Sequence, residues 1–587
     1  MSADGFHVLP AGGVPLRQAL TLAALGRLDV SNLVFAGCAL VLLVLVGLPL
    51  FWLAVSAFMD KTGAPSLTNF ERLFTDPTLV APLRISLIVA TCVGFISTIV
   101  AAPIAWIVSR TDMPGRRLIR ALITASFVTP PFLGAIAWEV LAAPNSGLIN
   151  VWYRALYDLP PFVHLVDIYS IEGLIFVDSI YAFAFVFVLV ANTLDRIPSD
   201  MEDAAAILGA PAWRIILTIT LPLALPAILA GALVAFLRSL TLFGTPAILA
   251  LPAGFHTITT KIWSLFQYPP NPGLAAAAAL PLLIATVVLL RVQSWILGRR
   301  GYVVLGGRAG GTRRIELGLW RWAALALCLF VLCFPVFLPY LALLKAALTK
   351  TLAEPVSADN LTWQHVRFVF FEFSPTRLAL RNTLFFAFVA ATIGTALALI
   401  ASYLASRKAV FGHSVLGFLA TAPIAVPGIV LGVGMFIAYT RGPVVLYGTM
   451  WVMIIAYVTI ELPAAYQQLK SALTGVSQEL EEAGRILGAG RLRTLIDITA
   501  PLLRTGVIAA WCFIFIGVMR ELSAAIMLFT AETKVLPVVI YDLNESGDLG
   551  AISVLGIMLL VLTLVITILA NNLPGFGKTT TGTKQAA

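Results

Sequence analysis

Ionisable residues are rare in this chain, so each place where they gather invites a chemical reading. Charged side chains make up 11% of 587 residues and hydrophobic ones 60%. The pair Arg520-Glu521 lies in an apolar run between Trp511 and Met527. A charge at bilayer depth costs about 2.5–3.5 kcal/mol on insertion scales, and such residues mark substrate or ion pathways. The bland alternative is a pair near the outer interface, snorkelling to water. Adjacent residues on a helix do not face each other, so Arg520 is a poor partner for Glu521. Arg238, in the first half of the chain, is the better candidate. The expected chemistry is electrostatic: Arg238 and Glu521 pair at an outer gate and separate when the path opens.

Other chemistry is missing from the sequence. Gly577-Lys578-Thr579 imitates the end of a phosphate-binding loop, but Asn572 stands where its first glycine belongs. That segment also follows an apolar run, not a strand leading into a helix. No Ser-His-Asp, Cys-His or paired-carboxylate spacing stands out. The cysteines 38, 92, 328, 333 and 512 all lie in apolar runs without CxxC spacing, and the five histidines are scattered. They predict buried free thiols and no metal site. The chain is expected to hold no catalytic residue, no metal and no cofactor of its own.

A second acidic feature occurs twice. Met201-Glu202-Asp203-Ala204-Ala205-Ala206-Ile207-Leu208-Gly209-Ala210 leads to Thr220 and Pro222. Leu480-Glu481-Glu482-Ala483-Gly484-Arg485-Ile486-Leu487-Gly488-Ala489 leads to Thr499 and Pro501, 279 positions on and without a gap. Each copy predicts a short helix, a glycine turn and another helix. Ser199 with Glu202 has capping-box spacing. The second copy has Ser477 but Leu480 at that spacing, so its start is weaker, although Glu479, Glu481 and Glu482 favour a helix N-terminus. Gly209 and Gly488 permit the left-handed residue that ends a helix. Met201, Ala205 and Leu208 fall on one helical face. The expected product is a helix outside the bilayer with one apolar stripe and one acidic face.

These features must be held by membrane helices. Apolar runs of about twenty residues are the length that crosses a bilayer core. Twelve spans are predicted, near 32–58, 83–109, 118–142, 172–195, 222–248 and 273–297, then 319–347, 379–406, 412–439, 447–469, 501–528 and 549–571. They divide the chain into a tail (1–30), a six-span half (31–297), a Gly/Arg-rich linker (298–318), a second half (319–571) and a C-terminal tail (572–587). The net charge of +9 invites a nucleic-acid reading. The basic residues instead cluster beside apolar runs, as at Arg110, Arg116, Arg117 and Arg120 and at Arg407 and Lys408. That is the positive-inside pattern, which places both termini and both repeated loops in the cytoplasm. Pro130 and Pro131 fall within the third span, and Pro423 and Pro427 within the ninth. Broken helices at matching places in two halves point to a translocation path, and the competing reading is packing kinks alone. Gly428 and Gly432 suit close helix contact.

The repeated segment resembles the EAA loop of type I binding-protein-dependent ABC importer permeases. The acid, the small residues, the glycine and the distal proline carry the match, with departures at Asp203, Gly484 and Ala500. The stretch from Arg110 to Arg117, Arg520-Glu521-Leu522-Ser523, Glu532 to Leu536 and Val539 to Ala551 are similar to the fused, twelve-span permeases of the ferric-iron importer family. The resemblance implies an all-α membrane fold of two homologous six-helix halves in a bacterial inner membrane. It implies that Glu202, Asp203, Ala204, Gly209, Glu481, Glu482, Ala483 and Gly488 couple the chain to two copies of an ATPase, which hold ATP and Mg. It also implies an extracytoplasmic binding protein that delivers ferric iron. Related permeases carry thiamine, 2-aminoethylphosphonate, putrescine or sulfate, and Leu242 stands where the family commonly has an acid. An ion-coupled secondary transporter is the rival of another class. It explains the spans but not two near-identical acidic loops. A membrane enzyme is a distant third.

Overall fold

The computed structural model describes residues 30–60, 62–197, 200–299, 315–408, 410–440 and 445–572. Ser199, most of the Gly/Arg-rich linker, Gly577-Lys578-Thr579 and nearly all of both tails lie outside the described residues. The described chain is helical, with isolated β-bridges and no strand among the described residues. Among the described residues, ten helices are long and apolar enough to cross a membrane. Five belong to the first half: Asn32–Ala57, Pro77–Arg110, Ile171–Leu194, Ala212–Thr241 and Pro272–Gly298. Five belong to the second: Trp320–Leu348, Ser374–Ser406, Met450–Thr474, Ile496–Met519 and Leu549–Leu569.

The third and ninth predicted spans are not continuous. The ninth is His413–Ala425 followed by Gly428–Tyr439, bent by 111°. The third is Arg116–Ala125, a 3-10 turn, then Pro131–Ala142. Proline explains both breaks. Pro130 and Pro427 sit in extended backbone, with ψ of 132° and 143°, immediately before the second helix starts. Neither has an N–H to continue the first helix, and each disfavours α geometry in the residue before it. Pro423 lies in the 3-10 turn Ala422–Ala425.

The halves follow one plan. The second spans are related by an offset of 297, which pairs Arg84 with Arg381 and Arg110 with Arg407, whereas the repeated loops are 279 apart. The difference is length in one connecting loop: 143–170 joins the third and fourth spans, and the much shorter 440–449 does so in the second half. The longer loop carries its own helix, Leu148–Tyr157. A smaller match confirms the plan. Ser86 accepts a hydrogen bond from the Ile258 N–H (2.7 Å), and Thr383, at the related position, accepts one from the Leu536 N–H (2.8 Å). The end of the linker docks on the first half. The Ile315 N–H donates to Arg110 O (2.8 Å), and the Leu317 N–H donates to the Asp112 carboxylate (2.9 Å).

Candidate functional site

The two repeated helices, Asp200–Ile207 and Gln478–Ile486, end as their glycines require. Gly209 has φ +82° and Gly488 φ +89°. The N–H of Ala210 bonds to Ala205 O, and that of Ala489 to Gly484 O, both at 3.0 Å. This five-residue closure is the Schellman pattern, and it needs the left-handed residue between.

The first acid of each copy does not face outward. Glu202 is 7% exposed and Glu481 is fully buried. In the first half, Arg110 at the end of the second span lies 3.4 Å from Glu202, and Thr220 donates to the same carboxylate (2.7 Å). In the second half, Arg407 lies 2.9 Å from Glu481, and Thr499 donates to it (3.2 Å). Each arginine also donates to a backbone carbonyl upstream of the loop. Arg110 reaches Ile197 O (2.9 Å) and Arg407 reaches Val476 O (3.0 Å). Ile197 and Val476 are themselves 279 apart. Glutamate, threonine, carbonyl and arginine therefore form the same four-part clamp twice. It ties the repeated helix to the second span through arginine and to the fifth or eleventh through threonine. A carboxylate buried this deeply is tolerable because a cation and hydrogen-bond donors face it.

The expected acidic face is thus corrected in part: Asp200, Glu479 and Glu482 stay exposed, but Glu202 and Glu481 turn inward. The first acid is an internal anchor, and Glu202 spends its carboxylate on Thr220 and Arg110. The tip of each loop, by contrast, is apolar and faces outward. Leu208 and Leu487 are 87% and 88% exposed, and Ile207 and Ile486 nearly as much. Ala204, Glu482 and Ala483 are also exposed, while Asp203 is half-buried. The apolar stripe that would normally seek a core points away from this chain, so it fits a surface another chain covers.

The second candidate region is a cavity of about 190 Å³ between the halves. Arg238, Glu461, Arg520 and Glu521 all line it, with hydroxyls from Ser126, Thr129, Tyr181 and Ser523. The structure corrects where the pair Arg520-Glu521 sits. The eleventh span ends at Met519, and the pair occupies the break before the short helix Ala525–Leu528. Freed from helix geometry, the neighbours diverge. Arg520 donates to Phe127 O at the third-span break. The Glu521 carboxylate accepts from the N–H groups of Ala524 (3.0 Å) and Ala525 (3.2 Å), capping the next turn.

The breaks meet in matched pairs. A Cβ on Gly244 would lie 2.8 Å from Phe132 Cβ, and one on Gly428 would lie 3.1 Å from Ser523 Cβ. Gly432 is as close to Met527, so both Gly428 and Gly432 serve close approach. Pro131 lines the cavity. Pro130, Pro423 and Pro427 shape the breaks around it without lining it.

Arg238 does not pair with Glu521. No ion pair within 4.0 Å joins them among the described residues. The Arg238 guanidinium instead lies 3.9 Å over the Phe185 ring. Sequence reading missed Glu461, on the tenth span, which faces both guanidiniums across the cavity. Its signal was present: an acid inside an otherwise apolar run, followed by Pro463. Among the described residues no group of three His, Cys, Asp or Glu can hold a metal ion, and the cysteines are free.

A family model described as binding-protein-dependent transport system inner membrane component matches residues 97–302 and 394–574. The chain is 26% identical over 520 residues to the ferric transport system permease protein FbpB of Actinobacillus pleuropneumoniae, covering 87% of this chain and 74% of that one. It is 26% identical over 527 residues to a putative ferric transport system permease protein, FbpB 1, of Haemophilus influenzae, covering 88% and 81%. A molybdenum transport system permease protein, ModB, of the same species is 32% identical over 220 residues, covering 37% of this chain and 93% of that one.

Proposed function

We infer that this chain, which belongs to the family of binding-protein-dependent transport system inner membrane components, carries ferric iron. It is an ABC importer permease with both halves fused in one polypeptide. The observation that carries the reading is the duplicated clamp. Two identically anchored helices end in apolar tips, one per half, as a permease driven by a pair of ATPases requires. The iron assignment is supported by two relatives named for ferric transport, matched over most of both chains.

In this reading two copies of an ATPase bind below, one on each repeated loop, and hold ATP and Mg between them. Residues 201–210 and 480–489, with both termini, face the cytoplasm. An extracytoplasmic binding protein delivers iron from above. When ATP draws the two ATPase copies together, the repeated helices approach each other. The Arg110–Glu202 and Arg407–Glu481 clamps pass that movement to the second spans, and Thr220 and Thr499 pass it to the fifth and eleventh. The path runs between the halves through the cavity at the broken helices. This chain supplies the path and the coupling, and its partner supplies hydrolysis.

The test is uptake of radioactive iron into proteoliposomes holding this chain, its ATPase and its binding protein. Uptake should require internal ATP and should be blocked by excess ferric iron, but not by molybdate, thiamine, 2-aminoethylphosphonate, putrescine or sulfate. Competition by one of these reassigns the substrate. Uptake driven by an ion gradient without ATP would overturn the importer reading.

A further inference from the structure

The cavity between the halves has a definite charge pattern. Four ionisable groups line it, two cationic and two anionic. Two are already engaged. Arg520 is held by Phe127 O, and Glu521 caps the turn at Ala524 and Ala525. The other two are unspent. Arg238 is exposed to the cavity and rests on the face of Phe185, and its guanidinium makes no hydrogen bond among the described residues. Glu461 is half-buried and lies against Gly517, and its carboxylate likewise makes none among the described residues. No ion pair within 4.0 Å joins Arg238 to Glu461. One guanidinium and one carboxylate therefore line one small space without satisfying each other.

Such a space discriminates by charge. A bare multivalent cation would meet Glu461 but would be repelled by Arg238. A bare oxyanion would meet Arg238 but would be repelled by Glu461. Like charges in a low-dielectric site repel strongly. A ligand that brings both signs satisfies both groups. Its oxygens take the fork of Arg238, which is shaped for bidentate oxyanion binding, and its cationic part takes Glu461. We propose that this cavity is an intramembrane site for a charge-compensated ligand, an oxyanion carried together with a cation. Two sources share that chemistry: a metal–oxyanion complex and a small organic zwitterion. The inference rests on the reading of this cavity as part of the path, and with iron as substrate it means the ion crosses with oxyanion ligands attached.

The position is specific to the contact between halves. Along the 279 offset, Glu461 corresponds to Ala182, Arg520 to Thr241 and Glu521 to Leu242. The acids come from one half and the unspent cation from the other, so the site forms only where the halves meet.

Equilibrium dialysis of the full chain in lipid nanodiscs tests this, using iron and citrate carrying different radioactive labels. A second arm uses labelled 2-aminoethylphosphonate as the zwitterion. Either both iron and citrate should be retained together, or the zwitterion should be retained. Arg238→Gln and Glu461→Gln should each weaken retention about tenfold or more. Retention of iron without citrate, of citrate without iron, or of none of the probes would overturn the proposal, as would unchanged retention in both variants. ATP-driven uptake by the same preparation in proteoliposomes reads the permease assignment separately. Uptake with no retained probe removes the site and leaves the permease standing. Co-purification of the ATPase with both variants shows that a loss of retention is not a loss of fold.

Discussion

The two halves agree at one end and disagree at the other. Where the repeated loops lie, Arg110, Glu202, Thr220 and the Ile197 carbonyl match Arg407, Glu481, Thr499 and the Val476 carbonyl contact for contact. At the opposite end the same architectural contact is made with different chemistry. Glu139 of the third span accepts from Tyr169 (2.7 Å) and from Asn544 of the other half (2.9 Å). The corresponding place in the second half is aromatic: Phe436 meets Phe266 across the halves and Tyr447 beside it. Between these ends, the second half places Glu461, Arg520 and Glu521 at the cavity, while the first half buries Asp178 against Ser239 (3.0 Å). Equal loops suit two identical partner subunits, one per half. Unequal middles and outer ends suit a single asymmetric object: one substrate, one binding protein.

The largest expected effect breaks the equality. Arg110→Ala leaves Glu202 buried without its cation, a loss of about 3–5 kcal/mol. Arg407→Ala should do the same to Glu481 but less severely, because Arg407 is 12% exposed where Arg110 is 1%. Thermal unfolding in detergent should show lowered melting for both, with Arg110→Ala lower, and uptake should be lost. Equal melting to the parent chain would mean that the clamp carries no load.

Next comes the turn. Gly209→Pro or Gly488→Pro puts a residue fixed near φ −65° where φ is above +80°. Membrane insertion should persist and uptake should be abolished, and normal uptake in both variants would contradict the coupling role. Under the proposed coupling to two ATPase copies, either variant alone should suffice for failure.

How much of this was legible varied with the kind of interaction. The repeat, the glycine turns and the breaks at Pro130 and Pro427 were legible because each is a backbone restriction written in one or two residues. The clamp was not. Glu202 and Arg110 are 92 positions apart in the sequence, and nothing local says that the acid turns inward. Helical periodicity put Met201, Ala205 and Leu208 on one face, but periodicity alone does not say whether an apolar face turns to its own chain or away from it. The cavity was half legible. Arg238 and Glu521 do share it, but the break after Met519 turns Glu521 to its own helix, and Glu461 sits where pairing across the halves was expected.

A smaller effect sharpens the partner assignment. Leu208→Asp and Leu487→Asp replace exposed tips, so this chain should melt unchanged. Each removes about 1.5–3 kcal/mol of apolar burial if an ATPase covers the tip, and ATPase recovery on purification should fall by about tenfold or more. Unchanged recovery would move the ATPase contact elsewhere. The smallest effect belongs to Glu482→Lys. Glu482 is exposed and accepts from Gln478 (3.1 Å), so charge reversal should cost about 0.2–1 kcal/mol of association. A loss as large as that from Leu487→Asp would make the ATPase contact electrostatic instead of apolar.

The subunit ratio tests the central claim most directly, because two equal loops on one chain demand two equal partners. Native mass spectrometry of the complex purified through this chain should give one copy of the chain with two copies of one ATPase, and Leu208→Asp should yield complexes carrying a single copy. A complex with one ATPase in the unaltered protein, or a chain that transports with none, would contradict it.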